Sequence, residues 1–201
     1  MLRYTSFVDL DAAQLAVVES IYHEAFPPHR RAPFARLADA GDAVTVVGLD
    51  EGTPVSFAKL SRLTSIDWLF LKYHAVHQDH RDRGLGTELW RHIRDTADAE
   101  GAKGIVLEVA DPDQDGVDTA ERLERDRRIA FYLSRGAGRL AHGGYVAPFV
   151  DGSGSEPMWL LAAVDGGLGL VPDELVRTVY VEGYGLDESH PLVRSLDEDD
   201  G

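Results

Sequence analysis

Near the middle of this chain, between Tyr73 and Trp90, a strand runs into a two-glycine loop that opens directly into a helix. The apolar run ending at Val76 has strand character. Leu85, Leu89, Ile93 and Ala97 recur at i, i+4, which predicts a helix from Gly84 to Glu100 with one apolar face. A strand and a helix joined this tightly must share one core, which commits the chain to sheet-and-helix layers. The junction, Arg81-Asp82-Arg83-Gly84-Leu85-Gly86-Thr87, also has the makings of an anion site. Helix N-termini present unpaired N–H groups and about half a positive charge. Gly84 and Gly86 let a phosphate approach the backbone without a Cβ in the way, and Arg81 and Arg83 add cationic side chains.

Two nucleotide-binding loops fail on spacing. A dinucleotide fingerprint needs a third glycine where Leu89 stands, and a P-loop needs a lysine between Gly86 and Thr87. A plain glycine turn stays open on these residues alone.

The rest of the chain reads as one domain with an appendage. With 201 residues, 44% hydrophobic and 27% charged, it can bury a core. Residues 2–8 read as a strand and Asp11–Phe26 as an amphipathic helix. A short helix is expected over Ala32–Ala40, and then a meander: Ala43–Leu49, a strand to Arg62, and Asp67–His77. Ile105–Val109 is a short apolar strand, followed by a charged stretch, 111–128, that begins as a loop and becomes a helix ending near Arg135. Strands are expected at Arg139–Phe149 and Pro157–Val164. After Gly166-Gly167 a helix is expected from Pro172 to Tyr180, and Leu196–Gly201 reads as a frayed acidic tail. The division is a domain at 1–165 and a C-terminal extension at 166–201.

Charge narrows the partners. A formal net charge of −15 argues against nucleic acid, whose phosphates need a basic face, and suits a cationic acceptor or simple solubility. No apolar run reaches the roughly 18 residues of a membrane span, so no membrane partner is expected. The absence of cysteine fits a cytoplasmic protein and rules out thiolate metal sites. The histidines show no metal spacing, so no metal is expected.

From residue 2 to about 165 the chain resembles the GNAT superfamily of N-acetyltransferases. The family's Arg/Gln-x-x-Gly-x-Gly/Ala motif at a strand-to-helix junction is matched by Arg81, Gly84 and Gly86. Ala75-Val76-His77 matches the strand end that pairs with the pantetheine arm, and Phe131-Tyr132 with Gly136 matches a late aromatic–tyrosine pair. The resemblance implies a mixed, mostly antiparallel α/β sheet of about seven strands with four or five flanking helices. It further implies acetyl-CoA as co-substrate, held by Ala75, Val76, His77, Arg81, Asp82, Arg83, Gly84, Leu85, Gly86 and Thr87. The charged stretch 111–128 departs from the shorter link usual in the family.

Acetyl transfer to a small-molecule or peptide amine needs a base, because a lysine-like amine is neutral in only about one molecule in two thousand at pH 7. It also needs an acid for the departing thiolate. The resemblance gives the acid role to Tyr132. Glu108 is the first candidate base: Leu107-Glu108-Val109 resembles the strand of bacterial N-terminal alanine acetyltransferases, and a carboxylate between two apolar residues of a buried strand implies a polar neighbourhood. His74, on the strand that feeds the loop, is the rival base. A core tyrosine, an arginine-paired glutamate and a core histidine remain open for these three. A homodimer formed through the extension is also open.

Overall fold

The computed structural model describes residues 2–38, 43–141, 144–165 and 172–198. The strands are β1 Arg3–Ser6, β2 Ala43–Asp50, β3 Thr53–Leu63, β4 Trp68–Val76, β5 Gly104–Ala110, β6 Ala137–Arg139, β7 Val146–Pro148 and β8 Ser155–Ala163. The helices are α1 Ala12–Ala25, α2 Leu85–Ala99, α3 Thr119–Leu133, α4 Pro172–Thr178 and α5 Pro191–Glu198. They build a mixed α/β fold whose mostly antiparallel sheet runs β1-β2-β3-β4-β5-β8-β6, with β7 beside β8. The chain divides into two compact units, Met1–Ser61 with Leu71–Gly101 and Phe149–Asp151, and Arg62–Phe70 with Ala102–Pro148 and Gly152–Gly201.

In the first unit, α1 starts where its sequence provides a cap. Asp11 accepts from Gln14 N at 2.8 Å while Gln14 Oε1 accepts from Asp11 N at 3.1 Å, a reciprocal capping box. Val18, Ile21 and Tyr22 of α1 pack with Val47 and Leu49 of β2, Phe57 of β3, and Tyr73 and Ala75 of β4. Tyr73 donates to Arg30 O at 2.9 Å and accepts from Ala32 N at 3.2 Å, fixing the segment after α1. That segment carries a 3-10 turn at Phe34–Ala38 in place of the expected helix, whose last residues, 39–40, lie outside the described residues. The first strand is likewise shorter than its pattern, because Phe7–Asp9 closes into a 3-10 turn that buries Phe7.

In the second unit, β5 and β8 form the spine, antiparallel from Ile105↔Ala163 to Ala110↔Met158. Its core joins Phe70, Val106, Leu160 and Ala162 to Leu175, Val176, Val179 and Tyr180 of the C-terminal segment and to Val193 and Leu196 of α5. The segment after residue 171 therefore docks into this core. Leu196 is the last apolar contact of a helix, at i+4 from Leu192 and i+3 from Val193, and not the start of a frayed tail; residues 199–201 lie outside the described residues. The turn expected at Gly166-Gly167 lies outside them too.

The strand expected over Arg139–Phe149 is two strands, which brings the total described to eight. Leu140 N donates to Leu160 O at 2.9 Å, and Met158 N donates to Tyr145 O at 3.1 Å. Leu140 and Tyr145, five positions apart in the sequence, thus meet residues only two apart on β8. The odd surplus reverses the alternation, so Tyr145 joins Leu140 on the face that simple alternation would deny it.

Candidate active site

The glycine loop sits at the start of α2 as the spacing predicted. Gly84 is the N-cap, with φ of 79°, and Asp82 is also left-handed at 60°. A glycine carries the Gly84 conformation without strain, and a Cβ there would meet no atom within 4 Å, so the approach to the backbone is open. The first helical bond of α2 runs from Glu88 N to Gly84 O at 3.1 Å. The amides of Leu85, Gly86 and Thr87 thus precede any intrahelical acceptor.

Side chains of the first unit hold the loop in shape. Arg81 donates to Glu24 Oε1 at 2.8 Å and through Nε to Val76 O at 3.4 Å, joining α1, β4 and the loop. Arg83 donates to His80 Nδ1 at 2.7 Å and reaches Asp50 Oδ2 at 3.4 Å. His77 donates its amide to Val55 O at 2.9 Å, and its ring accepts from Asp79 N at 3.2 Å. Ala75 points into the apolar core, whereas His74 and Val76 are half-buried on the opposite face of β4. Alternation along the strand thus separates His74 from Tyr73 and Ala75.

In the second unit, Glu108 projects from β5 on the same face as Val106. It meets two phenols: Tyr145 donates to Oε1 in a short hydrogen bond, and Tyr184 lies 2.9 Å from Oε1 and 2.7 Å from Oε2. Burial and the Glu108 charge hold the Tyr145 phenol far above its ordinary pKa, so it remains a donor. The sequence named neither tyrosine. Tyr145 lies just past the register excursion, and Tyr184 caps a π-helical turn, Val179–Gly183, that continues α4 beyond the expected end at Tyr180.

Tyr132 lies on the inner face of α3, 5% exposed, and desolvation raises its pKa well above 10, against a smaller opposing effect of Arg128. The charged stretch before it is ordered by α3 itself. Asp118 caps the helix by accepting from Glu121 N at 2.9 Å. Arg125 donates to Asp111 O at 2.5 Å and to Gln114 Oε1 at 2.9 Å. Beside Tyr145 a recess of about 170 Å³ is lined by Asp111, Arg139, Met158 and Trp159, with the Arg139 guanidinium 3.5 Å from the Trp159 ring centre. Among the described residues no group of three or more His, Asp or Glu is placed to hold a metal, and no helix is long and apolar enough to cross a membrane.

The family model described as Acetyltransferase (GNAT) family matches residues 15–124, more than half of the chain, and the chain belongs to that family. A solved structure from Bacteroides thetaiotaomicron described as a GNAT-family acetyltransferase superposes with a TM-score of 0.73 at 20% identity, over 92% of this chain and 99% of that one. The ribosomal-protein-S18-alanine N-acetyltransferase of Escherichia coli gives 0.56 at 22% identity, over 85% and 99%. An aminoglycoside 6'-N-acetyltransferase solved with coenzyme A gives 0.57 at 16% identity, over 81% and 96%. At these identities the likenesses establish the fold. No curated protein sequence is matched.

Proposed function

We propose that the chain transfers the acetyl group of acetyl-CoA to a primary amine by direct attack in a ternary complex. The observation that carries this reading is the start of α2. Left-handed Asp82 and Gly84 turn the chain into α2 just ahead of the Leu85, Gly86 and Thr87 amides, and no atom stands within 4 Å of where a Cβ on Gly84 would lie, which suits the approach of a pyrophosphate. Arg81 and Arg83 lie on the same loop, each anchored by a carboxylate and still half-exposed.

Glu108 serves as the base in this reading. Its carboxylate accepts a proton as the amine nitrogen bonds to the thioester carbonyl carbon and the carbon–sulfur bond breaks. Tyr132 supplies a proton to the departing thiolate, and its raised pKa keeps that proton in place at neutral pH. Asp111 gives a cationic acceptor an opposite charge in the recess beside Tyr145, where Arg139, stacked on Trp159, is the one cation among the described residues of the lining. His74, on β4 in the other unit, is the alternative base. A cytoplasmic setting and a small-molecule or peptide acceptor complete the proposal.

A CoA-release assay over small amines and peptides with free N-termini tests this. At least one class should turn over, and Glu108→Gln should lower kcat while recovering part of it at high pH, where more amine is already neutral. An unaltered pH profile in Glu108→Gln would move the base to His74 or water. Acetyl-CoA binding without release for any amine would make the chain a binding module, and turnover of peptides alone would define an N-terminal acetyltransferase.

A further inference from the structure

We propose that Tyr145 and Tyr184 are positioning residues for Glu108, and that the C-terminal π-helical turn is thereby a built part of the acceptor side of the site; this rests on the acid–base reading above. Tyr184 touches both carboxylate oxygens and Tyr145 touches Oε1, which fixes the rotation of the carboxylate plane.

Two departures from regular structure converge on this one side chain. Tyr145 reaches the Glu108 face only because the surplus between β6 and β7, both paired to a regular β8, reverses the alternation from one to the other. Tyr184 arrives because α4 widens into a π turn, which adds a residue to the helical path and re-aims the side chains beyond it. That turn is held from several sides. Glu182 accepts from the amides of Thr64 and Ser65 and from the Thr64 hydroxyl. Gly183 lies so close to Phe70 that a Cβ would stand 2.8 Å from its Cδ1, so the turn seats there only with glycine. Leu186 N closes the turn onto Tyr180 O at 3.0 Å, and the Tyr180 ring stacks on Tyr145 at 5.4 Å. A glutamate that needed only burial partners would not require both irregularities.

Two phenols bond the carboxylate, Tyr145 and Tyr184, while the Tyr180 hydroxyl donates to Val146 O at 2.9 Å. Hydrogen bonds donated to a carboxylate favour its charged form, so removing a donor raises the pH at which it ionises.

The test is a pH titration of the Glu108 carboxyl by carbon-13 NMR in the full chain, assigned with Glu108→Gln, beside kcat/KM profiles. Tyr184→Phe and Tyr145→Phe should each raise the carboxyl midpoint by about one to two pH units, the equivalent of one hydrogen bond to a charged group. The acidic limb of kcat/KM should move up with it, while the melting shift induced by acetyl-CoA stays the same. Midpoints that do not move in either variant overturn the proposal, whatever happens to thermal stability. Midpoints that move above an unmoved limb uphold the clamp and sink the acid–base reading of Glu108 instead.

Discussion

Tyr132→Phe is expected to lower kcat by about 10²–10⁴, the usual contribution of a general acid, with acetyl-CoA affinity almost unchanged. The ring stays in its buried seat on α3, so the change removes an oxygen and no packing. Burial has already pushed the phenol above its ordinary pKa, so the wild-type residue stays protonated through pH 9 and sets no limb of the profile there. The substituted enzyme should therefore be slow at every pH, with no alkaline recovery. This separates it from Glu108→Gln, whose loss shrinks as the amine deprotonates. Steady-state kinetics from pH 6 to 9 with a thermal-shift control for acetyl-CoA check both halves. Retention of most activity in Tyr132→Phe would hand the acid role to another group or to solvent.

Ending the chain at Asp165 is expected to abolish cooperative folding of the second unit. Leu175, Val176, Val179 and Val193 are 0% exposed, and Tyr180 and Leu196 join them in the core. Each such side chain contributes about 1.5–3 kcal/mol by leaving water. Six of them together rival the whole stability of an ordinary domain, about 5–15 kcal/mol. Leu175→Ala alone should cost about 2–5 kcal/mol. Urea denaturation followed by tryptophan fluorescence reads both effects. A truncated chain with a cooperative transition at the original midpoint would show that the segment adds nothing to the core.

The sequence revealed what is local and periodic. The apolar stripe Leu85, Leu89, Ile93, Ala97 marked α2, and the paired glycines marked its entry, because helix face and turn chemistry are written within a few residues. Glu108 stood out because alternation gave a carboxylate to a buried strand. Its partners were hidden for the opposite reason. Tyr145 is brought to Glu108 by a register surplus that depends on where Leu140 and Tyr145 each meet β8, some 15 residues further on, and alternation counted along the sequence assigns it to the wrong face. Tyr184 depends on a π turn stabilised by Thr64, Ser65 and Phe70, more than 100 residues away. The helix α5 was legible in the spacing of Leu192, Val193 and Leu196, but the acidic residues around it gave the weight to a solvated tail.

The measurement closest to the central claim is the melting temperature of the wild type and of Gly84→Val, each with and without acetyl-CoA. A ligand at 100 times its Kd stabilises the native state by about 2.7 kcal/mol, so the wild type should melt several degrees higher with acetyl-CoA present. Gly84→Val places a branched side chain at φ 79°, which strains the loop and adds bulk at the start of α2, where the proposed pyrophosphate would approach. Its own melting point should drop modestly, and acetyl-CoA should no longer raise it. A wild-type melting curve left unmoved by saturating acetyl-CoA would contradict the account.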